Sequence, residues 1–382
     1  MSKAMRTFCQ RGYVSRKGCD RLNQVLAECA ELYNAELETW RMQYKETGRS
    51  DSLFDRFKAF TAVRNADDFW YGMSLLVGRG VLCRADRAKK SFYRRAKNGE
   101  KPGYPRFKPR NRYRTIQLEQ AAPGMIKPDK RGYVVRIKGL PEIRLRTKRE
   151  LPSSDDIKSI HITFKGRRVG VNLIYAVDMK PLPYNRARVG LDLGVLSRIT
   201  TSDGRKVERR RPDREEITGK QRRLSACKKG SRRYRKRRRI LANAHDRARV
   251  RDRGRCHEIT TAIVRRHGFI ALEDLDKRNM IRSGGARKRS LNRAILEQTW
   301  GRIVSQLVYK AAWAGRELVF VDPRDTSQLC SGCGAKVQKS LQERMHICGC
   351  GLVLDRDHNA AINILNKALG GGVIPPAVGE TA

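Results

Sequence analysis

Residues 326–334 read TSQLCSGCG, and residues 348–365 read CGCGLVLDRDHNAAINIL. Two residues separate Cys330 from Cys333, fourteen follow, and one residue separates Cys348 from Cys350. Four thiolates are the set that a tetrahedral structural zinc takes. Gly332, Gly334, Gly349 and Gly351 allow the tight turns such knuckles need. The one-residue spacing of the second pair departs from the usual two, so His346 stands as a substitute ligand should Cys350 fail to reach. A closed four-ligand site leaves no open position, so its expected role is folding and positioning. The run DRDHNAAINILNKAL (355–369) reads as a helix that begins with acids. Asp357 sits in its first turn.

Two more isolated acids lie upstream. RVGLDLGV (188–195) reads as a buried strand carrying Asp192, and GFIALEDL (268–275) as another ending at Glu273. ELVFVDP (317–323) is a third. Residues 290–315 carry a helical apolar pattern (Leu291, Ile295, Trp300, Ile303, Val304, Leu307, Val308, Ala311), with Ser290 as N-cap and Gly315 as terminator. A carboxylate among apolar residues is costly unless something neutralises it. One alone reads as a salt bridge. Three, each on a core element, point to divalent metal. Two Mg²⁺ ions held by carboxylates can activate water and stabilise the leaving oxygen in phosphodiester hydrolysis.

The charge agrees with a polyanionic partner. The 382 residues hold 84 Lys+Arg against 39 Asp+Glu, a net +45. Residues 84–114 carry 13 cations and 2 acids, residues 205–255 carry 23 and 6, and residues 277–293 carry 7 and none. Three such runs between structured segments look like walls for a phosphate backbone. No apolar run is long enough for a membrane span, and the N-terminus lacks a secretory h-region. Six cysteines are scattered singly. With one tight cluster and no export signal, they suggest a reduced cytoplasm.

The N-terminal half reads differently. Residues 15–47 and 66–97 are expected to be helical, from the spacing of Leu22, Val25, Leu26, Cys29, Leu32, Tyr33 and Trp40, and of Phe69, Trp70, Met73, Leu76 and Val77. GEKPGYPRFKPRNRYR (99–114) breaks the helix and interleaves Tyr104, Phe107 and Tyr113 with cations, a pattern that can stack bases and hold phosphates. From 115 to 178 the pattern becomes short alternating strands, with a hairpin at Lys165-Gly166-Arg167-Arg168. The expectation is a small antiparallel, barrel-like β domain. The tail 370–382 has no helical or strand signal and is expected to be disordered.

VGLDLGVLSRITTSDG (189–204), GFIALEDLDKRNM (268–280) and the cysteine–DRDHNAA stretch together resemble the TnpB proteins of bacterial transposons, compact relatives of the type V CRISPR effectors. SFYRRAKNGEKPGYPRFKPRNRYRTIQL (91–118) resembles that family's basic segment before its β domain, and QRRLSACKKGSRRYRKRRRILANAH (221–245) its basic helical hairpin. The likeness spans roughly residues 90–369.

The resemblance implies a multidomain α/β protein. It would have an RNase H-like (RuvC) nuclease with a zinc ribbon insertion, plus an N-terminal antiparallel β-barrel (WED-like) with a helical REC-like insertion. The implied bounds are 1–14 with 98–184 for the barrel, 15–97 for the helices, 185–326 with 353–369 for the nuclease, and 327–352 for the ribbon. Asp192, Glu273 and Asp357 would be the catalytic Mg²⁺ ligands, in preference to Asp274 and Asp355. Cys330, Cys333, Cys348 and Cys350 would hold Zn²⁺. The expected nucleic-acid contacts are Lys101, Tyr104, Arg106, Phe107, Lys108, Arg110, Arg232, Arg233, Arg235 and Lys236. The implied partners are a guide RNA (omega, or right-end element, RNA) and a double-stranded DNA target beside a short flanking motif. A miniature CRISPR effector, a nuclease-inactive repressor and a cut-and-paste transposase are the alternatives. Asp325, before Thr326, departs from the family pattern with no reading attached.

Overall fold

The computed structural model describes residues 3–153, 155–166, 168–208, 213–275, 286–340, 343–370 and 373–374. Of the third basic run, residues 277–285 lie outside these. The chain divides into two compact units, Met1–Asp178 and Met179–Ala382.

The first unit is built on one antiparallel sheet. Its strands are β1 (Lys3–Tyr13), β2 (Thr115–Leu118), β3 (Ile126–Asp129), β4 (Gly132–Val135), β5 (Ile143–Arg146), β6 (Ile157–Lys165) and β7 (Arg168–Asp178), in the order β2-β6-β7-β1-β5-β4-β3. The edge strands β2 and β3 do not pair with each other, so the sheet is open where a closed barrel was expected. The hairpin is as anticipated: Lys165 pairs with Arg168, and Gly166 takes φ +52°, which a side chain would resist. Arg167 lies outside the described residues.

Helix α1 (Arg16–Thr47) starts where Ser15 accepts the Gly18 N–H at 3.0 Å. The second helical block expected over 66–97 is two helices, α3 (Asp68–Tyr71) and α4 (Leu75–Lys97), and a helix that was not expected, α2 (Leu53–Ala66), precedes it. Helix α4 lies so close to β2 that a methyl group at Gly80 would sit 1.8 Å from the Gln117 carbonyl oxygen. Helices and sheet share one apolar core, with Leu22, Leu37 and Val77 packed together with Ile116, Ile160 and Leu173.

The second unit holds a mixed six-stranded sheet. Its strands are β8 (Arg188–Asp192), β9 (Ser197–Thr201), β10 (Lys206–Glu208), β11 (Phe269–Glu273), β12 (Glu317–Val321) and β15 (Val373–Ile374), in the order β10-β9-β8-β11-β12-β15. The apolar runs β8, β11 and β12 are parallel central strands, and the other three are antiparallel. Strand β15 is a correction: residues 373–374 pair with β12, within a tail expected to be disordered. The remainder of that tail beyond Gly370 lies outside the described residues.

Helices α5 (Arg214–Ser225) and α6 (Arg232–Arg266) form the expected basic hairpin. The single helix expected over 290–315 is two, α7 (Ala286–Gln298) and α8 (Trp300–Ala314). The break is Thr299, a β-branched residue at φ +58°. Ser290 therefore lies inside α7 rather than capping it, and Leu291 is exposed. Gly315 does end α8, at φ +63°. A two-stranded ribbon, β13 (Met345–Ile347) and β14 (Val353–Asp355), leads into α9 (Arg356–Leu369).

Candidate functional site

Asp192 and Glu273 end neighbouring parallel strands. Leu191 pairs with Leu272, so the next residue on each strand brings the two acids together. Asp357 comes from the first turn of α9, which packs against β8 so tightly that a methyl at Gly190 would lie 2.1 Å from the Ala361 carbonyl oxygen. A methyl at Gly194 would lie 3.6 Å from Asp357 Oδ2 and 3.9 Å from Asp192 Oδ2. It would also lie 2.8 Å from the Ser197 carbonyl oxygen, so the glycine lets that backbone pass close beside the two carboxylates.

The electrostatics match this crowding. Burial, and then the negative charges of Glu273 and Asp357, hold the Asp192 carboxyl well above the ordinary carboxylate range. Burial also raises Glu273, against a hydrogen bond from Thr326 and the charge of Lys367. Asp357 is raised by burial and by Asp355, against Arg344, Lys206 and Arg356. The nearby cations do not neutralise the set. Gathered acids that resist ionisation are the donor set a hard divalent cation suits, so the residues fit Mg²⁺.

The neighbouring acids are differently employed. Asp274 is exposed. Asp355 caps α9, accepting the Asp357 and His358 N–H groups at 3.1 and 3.2 Å, and takes Lys206 Nζ at 2.7 Å. Burial raises Asp355, but these bonds bring it below the usual range.

Several residues that the sequence reading passed over hold this site. Gln298 Nε2 donates to the Val195 carbonyl, and Trp300 Nε1 donates to the Gly194 carbonyl at 3.3 Å. The strained Thr299 lies between them, so the helix break fastens the loop that follows Asp192. Thr326 Oγ1 donates to Glu273 Oε1. Helical spacing of Asn359 and Asn363 was a usable signal. Thr326 gave none beyond its place before the cysteines.

The four sulfurs of Cys330, Cys333, Cys348 and Cys350 lie within 4.8 Å of one another. Cys330 Sγ is 3.7 Å from Cys350 Sγ, and Cys333 Sγ is 3.6 Å from Cys348 Sγ. Cys350 therefore reaches despite the short knuckle. His346 stands outside the four, buried, with its Nδ1 accepting from Lys339 Nζ. The Cys333 backbone N–H lowers the Cys330 thiol, which favours its thiolate form. Four soft donors closed on one another fit Zn²⁺. Asp325, at φ +61°, pairs with Lys336 at 2.8 Å, an ion pair that spans the first knuckle.

The two expected contact surfaces differ. In residues 99–114, Tyr104 stacks on Trp40 (5.0 Å, 7°), and Arg41 lies 4.6 Å over Tyr104 and 4.7 Å over Phe107. Lys108 Nζ lies 4.3 Å over Tyr33, and its backbone bonds both ends of the Asn34 amide at 3.0 and 2.8 Å. Burial, then Arg84, push Lys108 down to about 8. Arg110 pairs with Glu31, while Lys101 and Arg106 are exposed. On α6, Arg232, Arg235, Lys236 and Arg239 fall at i, i+3, i+4 and i+7, one exposed face; Arg233 is exposed off it. None of these has an ion pair among the described residues. Farther along α6, Arg247 is paired with Glu216 of α5 and Arg251 with Asp213, the residue before it.

Two protein-family profiles match the chain: "Cas12f1-like, TNB domain" over residues 300–364 and "Probable transposase" over residues 172–284. A protein of Streptomyces pristinaespiralis named "Putative RNA-guided DNA endonuclease" is 30% identical over 381 residues, which is 97% of this chain and 90% of that one. The Escherichia coli K12 protein of the same description, InsQ, is 29% identical over 296 residues, covering 73% of this chain and 71% of its own. Among solved structures, a Cas12f1–sgRNA–target DNA complex superposes with a TM-score of 0.59 at 15% identity, covering 96% of this chain and 99% of that one, a likeness of fold. By sequence across nearly its whole length, the chain belongs to the TnpB family, whose relatives include the type V CRISPR effectors.

Proposed function

We propose that this protein is an RNA-guided DNA endonuclease: it binds a transposon-derived guide RNA and cuts matching double-stranded DNA beside a short flanking motif. The observation that carries this is the convergence of Asp192, Glu273 and Asp357 at one end of the mixed sheet. It occurs in a chain similar throughout to a protein named for that activity. The second unit is read as a RuvC-like, RNase H-type nuclease (185–326 with 353–369) carrying a zinc ribbon (327–352). The sheet domain (1–14 with 98–184, which runs six residues past the first unit's end at Asp178) is read as WED-like and the helices (15–97) as REC-like.

Asp192, Glu273 and Asp357 would hold two Mg²⁺ ions. Bound there, the metal supplies activation of the attacking water and stabilisation of the leaving 3′ oxygen. The chain's own residues orient the site. Gln298 and Trp300 fix the loop after Asp192, the Asp355 cap fixes the first turn that bears Asp357, and Thr326 holds one oxygen of Glu273. The exposed face of α6 (Arg232, Arg235, Lys236), with Arg233, would hold phosphates, and Lys101 and Arg106 would do so from the first unit. Tyr104, Phe107, Lys108 and Arg110 would contribute as a braced platform rather than as free side chains. Base pairing by the RNA would read the target, while the protein reads backbone and flanking motif.

Expressing the protein with its native flanking DNA, sequencing the RNA that co-purifies and challenging the complex with a target library tests this. A single RNA species and cutting confined to guide-matched DNA beside one motif are expected. Absence of bound RNA, or strand joining without RNA, would contradict it.

A further inference from the structure

A run of hydrogen bonds joins the four-cysteine cluster to Glu273. At the cluster, the N–H of Ser331, next to Cys330, donates to Asn359 Oδ1 at 2.9 Å, and Asn359 Nδ2 donates to the Leu329 carbonyl at 2.8 Å. One helical turn on, Asn363 Nδ2 lies 2.7 Å from the Leu329 carbonyl and 2.8 Å from the Thr326 carbonyl. Another turn on, Lys367 Nζ reaches the carbonyls of Asp322 (2.8 Å) and Arg324 (3.3 Å). Asn359, Asn363 and Lys367 are four residues apart, so one face of α9 is given over to the backbone of residues 322–331. Asn359 is fully buried, and both ends of its amide are occupied by that backbone. At the far end Thr326, 4% exposed, donates to Glu273, itself 9% exposed. The hydroxyl also lies 3.0 Å from the Pro323 carbonyl, but its single hydrogen favours the charged acceptor. Oε2 of Glu273 has no hydrogen bond among the described residues.

We propose that Thr326 is a positioning residue for Glu273, and that residues 322–331 form a strap, fastened to α9 by Asn359, Asn363 and Lys367, through which the four-cysteine site fixes that carboxylate. The proposal rests on the nuclease reading above. The Thr326 hydroxyl ties Oε1 and so leaves Oε2 as the free ligand oxygen. Opening the cysteine cluster at Cys330 releases the end of the strap next to Ser331, and the hold on Glu273 loosens with it.

The test uses the full chain with its RNA, as wild type, Thr326→Val, Thr326→Ser and Glu273→Gln. Target cutting is measured against Mg²⁺ concentration, and hydrogen exchange is followed over residues 322–331. Thr326→Val keeps its RNA, zinc content and target binding, but cuts roughly 10- to 100-fold more slowly and needs more Mg²⁺, as loss of a hydrogen bond to a charged group predicts. Thr326→Ser, which keeps the hydroxyl, stays within about threefold of wild type. Withdrawing zinc from the wild type speeds exchange over 322–331. A Val variant indistinguishable from wild type overturns the proposal. So does a Ser variant as impaired as Val, or a strap whose exchange ignores zinc. Full cutting by Glu273→Gln would instead overturn the carboxylate assignment on which the proposal stands.

Discussion

The four-cysteine cluster and the carboxylate cluster both gather like-charged ligands, yet they are assembled in opposite ways. The cysteines lie within residues 330–350 on glycine-flanked turns, and they close on one another. The acids come from three separate elements, 81 residues apart (192 to 273) and 84 apart (273 to 357), and meet only because β8, β11 and α9 pack together. The first arrangement would saturate a zinc bound there and leave no position for a substrate. The second gathers carboxyls that burial and their mutual repulsion raise, and under the proposed function it would lend a bound metal to another molecule.

The sharpest way to break that contrast is a double dissociation. Asp192→Asn should slow cutting by about 1,000-fold or more while zinc content and RNA binding stay at wild-type levels. Cys330→Ser should lose the zinc and loosen the ribbon, seen by metal analysis and by exchange over its backbone. Next in size is Gly190→Ala. Its methyl would meet the Ala361 carbonyl, so the variant should lose about 3 kcal/mol of stability in a thermal melt and displace α9.

A pH series without divalent cations sharpens the electrostatic half. Asp192, Glu273 and Asp357 are all raised in the fold. Their stabilising contribution is therefore fully present below the unfolded carboxylate range, about pH 4, and is lost as pH rises through the folded values. Melting temperature should fall over that window from this source. Added Mg²⁺ should reverse the fall, and Asp192→Asn should blunt both effects. The smallest effect belongs to the α6 face. Arg235→Gln with Arg239→Gln should lower the salt dependence of RNA binding by a slope of about 1.5, as two lost phosphate contacts require.

Legibility followed locality. The knuckles, the Lys165–Arg168 hairpin and the β8, β11 and β12 runs are written in adjacent residues, so spacing and alternation were enough. The break at Thr299 is not local. Nothing in residues 290–315 forbids one helix, and the turn is held from outside by the Gly194 and Val195 carbonyls. Strand β15 depends on the β12 edge for its pairing. The aromatics of 99–114 were read as free for bases, because the sequence does not show that Trp40 and Tyr33 lie beside them. For the site itself, isolated acids in apolar runs were visible. Thr326 and Gln298 were not, because each acts on another residue's atoms rather than through a motif of its own.

Guide exchange in the purified complex is the most direct test of the whole account. The guide segment of the bound RNA is replaced, and plasmids matching the old and new guides are offered to the wild type and to Asp357→Asn. The account predicts that wild-type cutting moves to the new site alone and that Asp357→Asn binds there without cutting either strand. Cutting that ignores the guide, or that survives in Asp357→Asn, would contradict it.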